Sequence, residues 1–117
     1  MLNFTGSLKV FVALEPCDLR MSFNGLHGLV RERLLEDPLQ GALFVFSNRS
    51  HTRLKMLYWD GTGMWVLLKR LERGTFSWPK PSESGAVKLR LAPEALALLT
   101  DGVDLRGGRL RAWYERD

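Results

Sequence analysis

Seven cations fall between residues 49 and 80: Arg49, Arg53, Lys55, Lys69, Arg70, Arg73 and Lys80. The same window holds two acids, Asp60 and Glu72. Its charge is therefore +5 in a chain whose net charge is +4, and the remainder is close to neutral. Segregated positive charge is the footprint of polyanion binding, and its bland counterpart is a solvated sheet face. Trp59 and Trp65 lie among these cations. An indole ring stacks on a nucleobase or lies under a guanidinium, although tryptophans are more often packed.

The groups that catalysis needs are not gathered in this way. Metal-assisted phosphoryl transfer requires carboxylates converging on ions about 4 Å apart. Here Asp18, Glu36, Asp37, Asp60, Glu72, Asp101 and Asp104 are dispersed along the chain. Asp60 sits at a turn and Asp37 precedes a proline, both ordinary structural posts. His27 falls on the polar side of a helix and His51 in a turn. Neither has a ligand-spaced neighbour, so both read as surface residues. Ser22 and Ser50 lack an elbow motif, and Gly61-Thr62-Gly63 lacks the lysine and helix of a phosphate-cradling loop. The expectation is a non-enzyme with no catalytic residue, metal or cofactor.

Cys17 stands alone, so no intrachain disulfide can form and zinc would lack thiolates. A reducing compartment, the cytoplasm, is expected. The first residues show no signal-peptide pattern, and no run of about 18 apolar residues offers a membrane span.

Something must position the basic window. With 117 residues, 45% of them hydrophobic, the chain suits one domain over residues 1–117. Leu8 to Leu14 reads as a strand. Ser22 suits a helix N-cap, and Phe23, Leu26, Leu29, Val30 and Leu34 then share one face, with Asp37-Pro38 as the stop. Gly25 and Gly28 weaken that helix and suggest either a close approach to another element or a helix held by packing. Ala42 to Phe46 is apolar on both faces, as a central strand would be. Asn48 to His51 is a turn. Arg53 to Trp59 and Met64 to Leu71 form a hairpin around Asp60-Gly61-Thr62-Gly63. Thr75 to Trp78 is a short strand, and Val87 to Leu91 an edge. Pro79 to Gly85 is a surface loop. Pro93, Glu94 and Gly102 mark the start, first turn and end of a second helix anchored by Leu96 and Leu99. Arg109 to Tyr114 is a strand or a loose tail. The order implies an α+β fold, an antiparallel meander with two helices packed against it.

The hairpin's period-two pattern bears directly on the cations. An odd-numbered loop superposes Leu54, Met56, Tyr58, Val66 and Leu68 on one face. It puts Arg53, Lys55, Leu57, Trp59, Trp65, Leu67 and Lys69 on the other. An even-numbered loop mixes the sets. The cleaner partition predicts a greasy inner face and a cationic, indole-bearing outer one, because a slip of one residue flips every side chain.

The segment Asp18-Leu19-Arg20-Met21-Ser22-Phe23-Asn24-Gly25-Leu26 resembles the early signature of a known family. That family is the TnpB accessory proteins, encoded by the second open reading frame of the insertion-sequence family numbered sixty-six. Leu43 to Arg49, Arg53 to Trp65 and Lys69 to Pro79 resemble its later blocks, in order, and the likeness runs from about residue 8 to 102. Met21 and Met64 depart mildly from its usual residues. The resemblance implies a protein that assists transposition beside a separate transposase carrying the catalytic acids. It also makes Asp18, Arg20, Tyr58, Asp60, Trp78 and Pro79 candidate site residues.

Two uses fit the basic segment. In the first, Arg49, Arg53, Lys55, Lys69, Arg70 and Arg73 contact DNA phosphates at the element ends, with Trp59 or Trp65 stacking. In the second, the same surface docks the transposase or the element's other accessory protein.

Overall fold

A computed structural model describes residues 8–81 and 85–102. The segment Arg109 to Tyr114, the tail 103–117 and part of the 79–85 loop lie outside the described residues.

The first strand, β1 (Val10–Ala13), is buried throughout and flanked by buried Leu8 and Leu14. The first helix, α1 (Phe23–Glu32), buries Leu26 and Val30, and Leu34 is buried just past its end. Ser22 occupies the N-cap position, but its side chain makes no capping bond. Phe23 is exposed, not on the buried face as its spacing predicted. The helix stops before Asp37-Pro38 because Leu35 turns left-handed at φ 56°, with Leu34 N–H donating to the Leu29 carbonyl and Glu36 N–H to that of Val30. Neither glycine meets another element: a Cβ on Gly25 would sit 2.9 Å from the side chain of Met21, just before the helix, and one on Gly28 would meet nothing within 4 Å.

Strand β2 (Leu43–Ser47) is buried at every position and lies third of five in the sheet. Strands β3 (Arg53–Trp59) and β4 (Met64–Arg70) form the hairpin, and β5 (Lys88–Leu91) is the opposite edge. A 3-10 turn (Pro93–Ala95) leads into α2 (Leu96–Thr100), which ends at left-handed Gly102. The sheet order is β4-β3-β2-β1-β5. Among the described residues three pairings are antiparallel. The expected plain meander is broken at β1 and β2, which run parallel through the α1 crossover. Thr75 to Trp78 is not a strand but an irregular crossing, held by Phe76 N–H donating to the His51 carbonyl at 2.7 Å.

Both faces of the sheet carry core. On the α2 face Val10, Val12, Leu43, Val45 and Leu54 pack with Phe76, Trp78 and Leu99. On the α1 face Phe11, Phe44, Phe46 and Leu57 pack with Leu26, Val30 and Leu34. Phe11 and Phe44 are register partners and stack at 5.6 Å. Lys88 of β5 ties the end of α1 down by donating to the Leu34 carbonyl and to Glu36.

Candidate nucleic-acid interface

The register of the β3–β4 hairpin overturns the predicted partition. Trp59 pairs with Met64, so the loop has four residues, Asp60 to Gly63. Cross-strand partners share a face. Trp65, Leu67 and Lys69 therefore lie with Tyr58, Met56 and Leu54 on the α2 face. Met64, Val66, Leu68 and Arg70 lie with Trp59, Leu57, Lys55 and Arg53 on the α1 face. The Asp60 side chain explains why an even loop wins. Its Oδ1 accepts from Thr62 N–H (2.8 Å), the Thr62 hydroxyl (2.9 Å) and Gly63 N–H (2.9 Å), while Oδ2 accepts from Trp65 Nε1 (2.8 Å). Left-handed Gly61 (φ 101°) makes this path open to the backbone. These donors hold the Asp60 carboxyl well below its usual range.

The cations are accordingly divided. Lys55 turns inward and donates to the Met21 carbonyl at 2.7 Å, beside α1. Lys69 lies on the other face, 3.5 Å from Asp101, an exposed pair worth about 0–1 kcal/mol. Trp59 and Trp65 lie on opposite faces and form no cross-strand pair; Trp59 is half-buried and Trp65 bound to Asp60. No face combines all the predicted residues.

Four arginines do gather, at one end of the sheet. Arg53 opens β3 and Arg70 closes β4, and the two are register partners. Thr52 and Leu71 are joined by a backbone bond, as are Asp60 and Gly63. Bonded pairs alternate with unbonded ones in an antiparallel ladder, so Arg53 and Arg70 form an unbonded pair, with Cα atoms about 4.5 Å apart. Like charges directly opposite are destabilising. Arg49 stands in the adjoining turn. Arg73 stands in a bend pinned to that turn through Leu71 and Phe76, which donate to the Thr52 and His51 carbonyls. All four are exposed, and none is in an ion pair among the described residues. Glu72 in the same bend is exposed and pairs with none of them.

The turn that carries Arg49 is rigidly built. Asn48 Oδ1 accepts from the backbone N–H of Thr52 (3.0 Å) and Arg53 (3.1 Å). Its Nδ2 donates to the Ser50 and Thr52 hydroxyls. His51, predicted as a surface residue, is half-buried at φ 56° and stacks on Trp78 at 5.8 Å. The buried Ser47 hydroxyl donates to the Asn48 carbonyl (2.8 Å), so His51 Nδ1 donates to Ser47 Oγ (2.7 Å). That direction leaves the serine without a base to activate it. Burial lowers the His51 pKa. A cleft of about 390 Å³ opens beside this group, lined by Pro16, His51, Thr75, Pro79 and Lys80. The sequence placed a turn here but not its packing, because Trp78 arrives from a distant crossing.

The other motif residues hold the framework. Asp18 accepts from Arg20 N–H, Nε and NH2 at 2.7–3.0 Å, which brings its carboxyl down to about 2. Trp78 donates Nε1–H to the Ala13 carbonyl at 2.9 Å in the interior. Tyr58 packs against the α2-side core. Burial, with Asp18 adjacent, raises the Cys17 thiol to about 11, so it is unreactive near neutrality. Among the described residues no cluster of His, Cys, Asp or Glu could hold a metal, and no helix is long and apolar enough to cross a membrane.

A family model described as "IS66 Orf2 like protein" matches residues 8–109. Two curated proteins of Sinorhizobium fredii (strain NBRC 101917 / NGR234) are similar. Uncharacterized protein y4jC is 42% identical over 104 residues, covering 89% of this chain and 86% of its own. Uncharacterized protein y4hO is 40% identical over 106 residues, covering 91% and 90%. No solved structure matches significantly.

Proposed function

The chain belongs to the IS66 Orf2-like family, which implies an accessory role in transposition, and on that premise we propose that it binds DNA phosphates through the arginine-bearing end of its sheet. The observation that carries this reading is the Arg53–Arg70 pair, two like charges set directly opposite, neither of them in an ion pair with an acid of the described residues. Such a pair costs stability in the isolated protein and is relieved by a bound polyanion. Arg49 and Arg73 widen the patch, and guanidinium groups suit phosphate oxygens through paired donors. Because the two tryptophans are divided between faces, the contact is one of backbone charge and shape more than of base stacking. The chemistry of transposition is left to another protein of the element, and the cytoplasm is the setting in which both would meet the DNA.

The test is fluorescence anisotropy on element-end duplex DNA. Charge reversal of Arg53 and Arg70 to glutamate should weaken binding by at least tenfold. Reversal of Lys55 or Lys69 should weaken it much less. Equal losses for both sets would overturn the placement of the site.

A second reading, an adaptor that docks the transposase or the other accessory protein, is favoured by a different feature. An apolar groove of about 560 Å³ lies between β4 and α2, lined by Leu54, Met56, Leu67, Leu96 and Thr100. Under that reading a complex with the transposase survives high salt, and the chain alone does not shift DNA.

A further inference from the structure

We propose that two copies of this chain join through the outer edge of β4, giving a twofold dimer with one continuous sheet. The inference rests on that edge and is independent of the DNA reading.

The two edges of the sheet are built differently. β5 has four residues, two of them the cations Lys88 and Arg90, and short charged edges resist pairing. β4 has seven residues, and its first five, Met64 to Leu68, carry no charge. The hydrogen-bonded pairs of the β3–β4 ladder fall at odd positions of β4, as the Asp60–Gly63 and Thr52–Leu71 bonds fix. The backbone N–H and C=O groups of Met64, Val66, Leu68 and Arg70 therefore point outward. Among the described residues no strand meets them. Large apolar side chains flank this edge on both faces, with Trp65 39% and Leu68 59% exposed. A long edge with an uncharged five-residue run of this kind associates unless it is covered.

The sequence Met64-Trp65-Val66-Leu67-Leu68-Lys69-Arg70 is complementary to itself when run antiparallel. Centred on Leu67, all seven residues pair. Lys69 then faces the partner's Trp65, whose indole N–H is held by the Asp60 carboxylate on the same face, and Arg70 faces the partner's Met64. The basic end of each copy meets an indole and an acid, and the two basic ends stay apart. Any parallel pairing would set them together. At the centre, Leu67 meets its counterpart beside the apolar groove bordered by Leu96 and Thr100. The twofold axis stands perpendicular to the sheet, so the α1 faces of both copies point the same way. Their Arg70 residues are then about 20 Å apart along the strand, from six residues at about 3.4 Å each.

Light scattering on the purified full chain at micromolar concentrations should read the mass of a dimer. Val66→Pro removes an N–H that points away from β3, so it spares the hairpin and should weaken the dimer by at least about tenfold with an unchanged circular dichroism spectrum. Leu67→Cys in a Cys17→Ser background should form an intermolecular disulfide on mild oxidation, because unbonded antiparallel partners hold their Cβ atoms about 4.5–5.5 Å apart. Leu35→Cys in the same background, at an exposed site beyond α1, should not. If Val66→Pro fails to fold, the cross-link decides. A monomer across the concentration range overturns the proposal. So does a dimer that ignores Val66→Pro, or one that gives no cross-link at position 67.

Discussion

Trp78 shows how one side chain can serve the core and the site together. Its ring lies in the α2-side core and stacks on His51, while its N–H satisfies the Ala13 carbonyl. Trp78→Phe keeps most of the apolar contact and leaves that carbonyl without its donor. The expected loss is about 1–3 kcal/mol, read as a lower urea midpoint at unchanged slope. A shift of a few tenths would contradict it. His51 supplies a pH test. Its pKa is lowered in the fold by burial, so the unfolded chain takes up the proton first. Stability is full above the unfolded value near 6.5 and falls as pH drops through the range below it. His51→Asn, which tolerates the left-handed backbone, should flatten the fall in melting temperature between pH 7 and 5. An undiminished fall would remove His51 as its source. Nothing local in the sequence marked this residue, since what buries it is Trp78, brought in by the crossing segment.

At the scale of elements, the hairpin was legible as two strands and a turn but not in its register. The apolar alternation that ordinarily reports register assumes one wet face. Here both faces of β3 carry core, and Leu54 and Leu57 are equally buried on opposite sides. The deciding information lay in Asp60, read only as a turn residue, whose carboxylate gathers four donors and closes a four-residue loop. Gly61 is the one position in that loop that requires a left-handed backbone. Gly61→Ala should cost about 1–2 kcal/mol, whereas Gly63→Ala, with an ordinary φ and open space, should be nearly neutral. Equal effects in thermal denaturation would count against the loop geometry. The helices followed their start and stop signals more closely. Pro93 and Gly102 bound the second one as read, while the first ended a turn early at Leu35, a residue whose left-handed conformation no composition rule anticipates.

Taken as a whole molecule, the chain is α+β with a basic segment, as charge and pattern indicated. The parallel pairing of β1 with β2 follows from a helix lying between two fully buried strands, and the meander reading missed it. Charge segregation along the sequence did not translate into one charged face. It became one charged end, where Arg49, Arg53, Arg70 and Arg73 meet because a turn, two strand termini and a bend are pinned together by backbone bonds. The most direct test of that end is the salt dependence of DNA binding by the full chain and by the Arg53→Ala, Arg70→Ala double variant. Four phosphate contacts predict a log–log slope of about −3.6 on duplex DNA, and the loss of two predicts about −1.8. A slope that is flat in the native chain, or unchanged in the variant, would contradict the account.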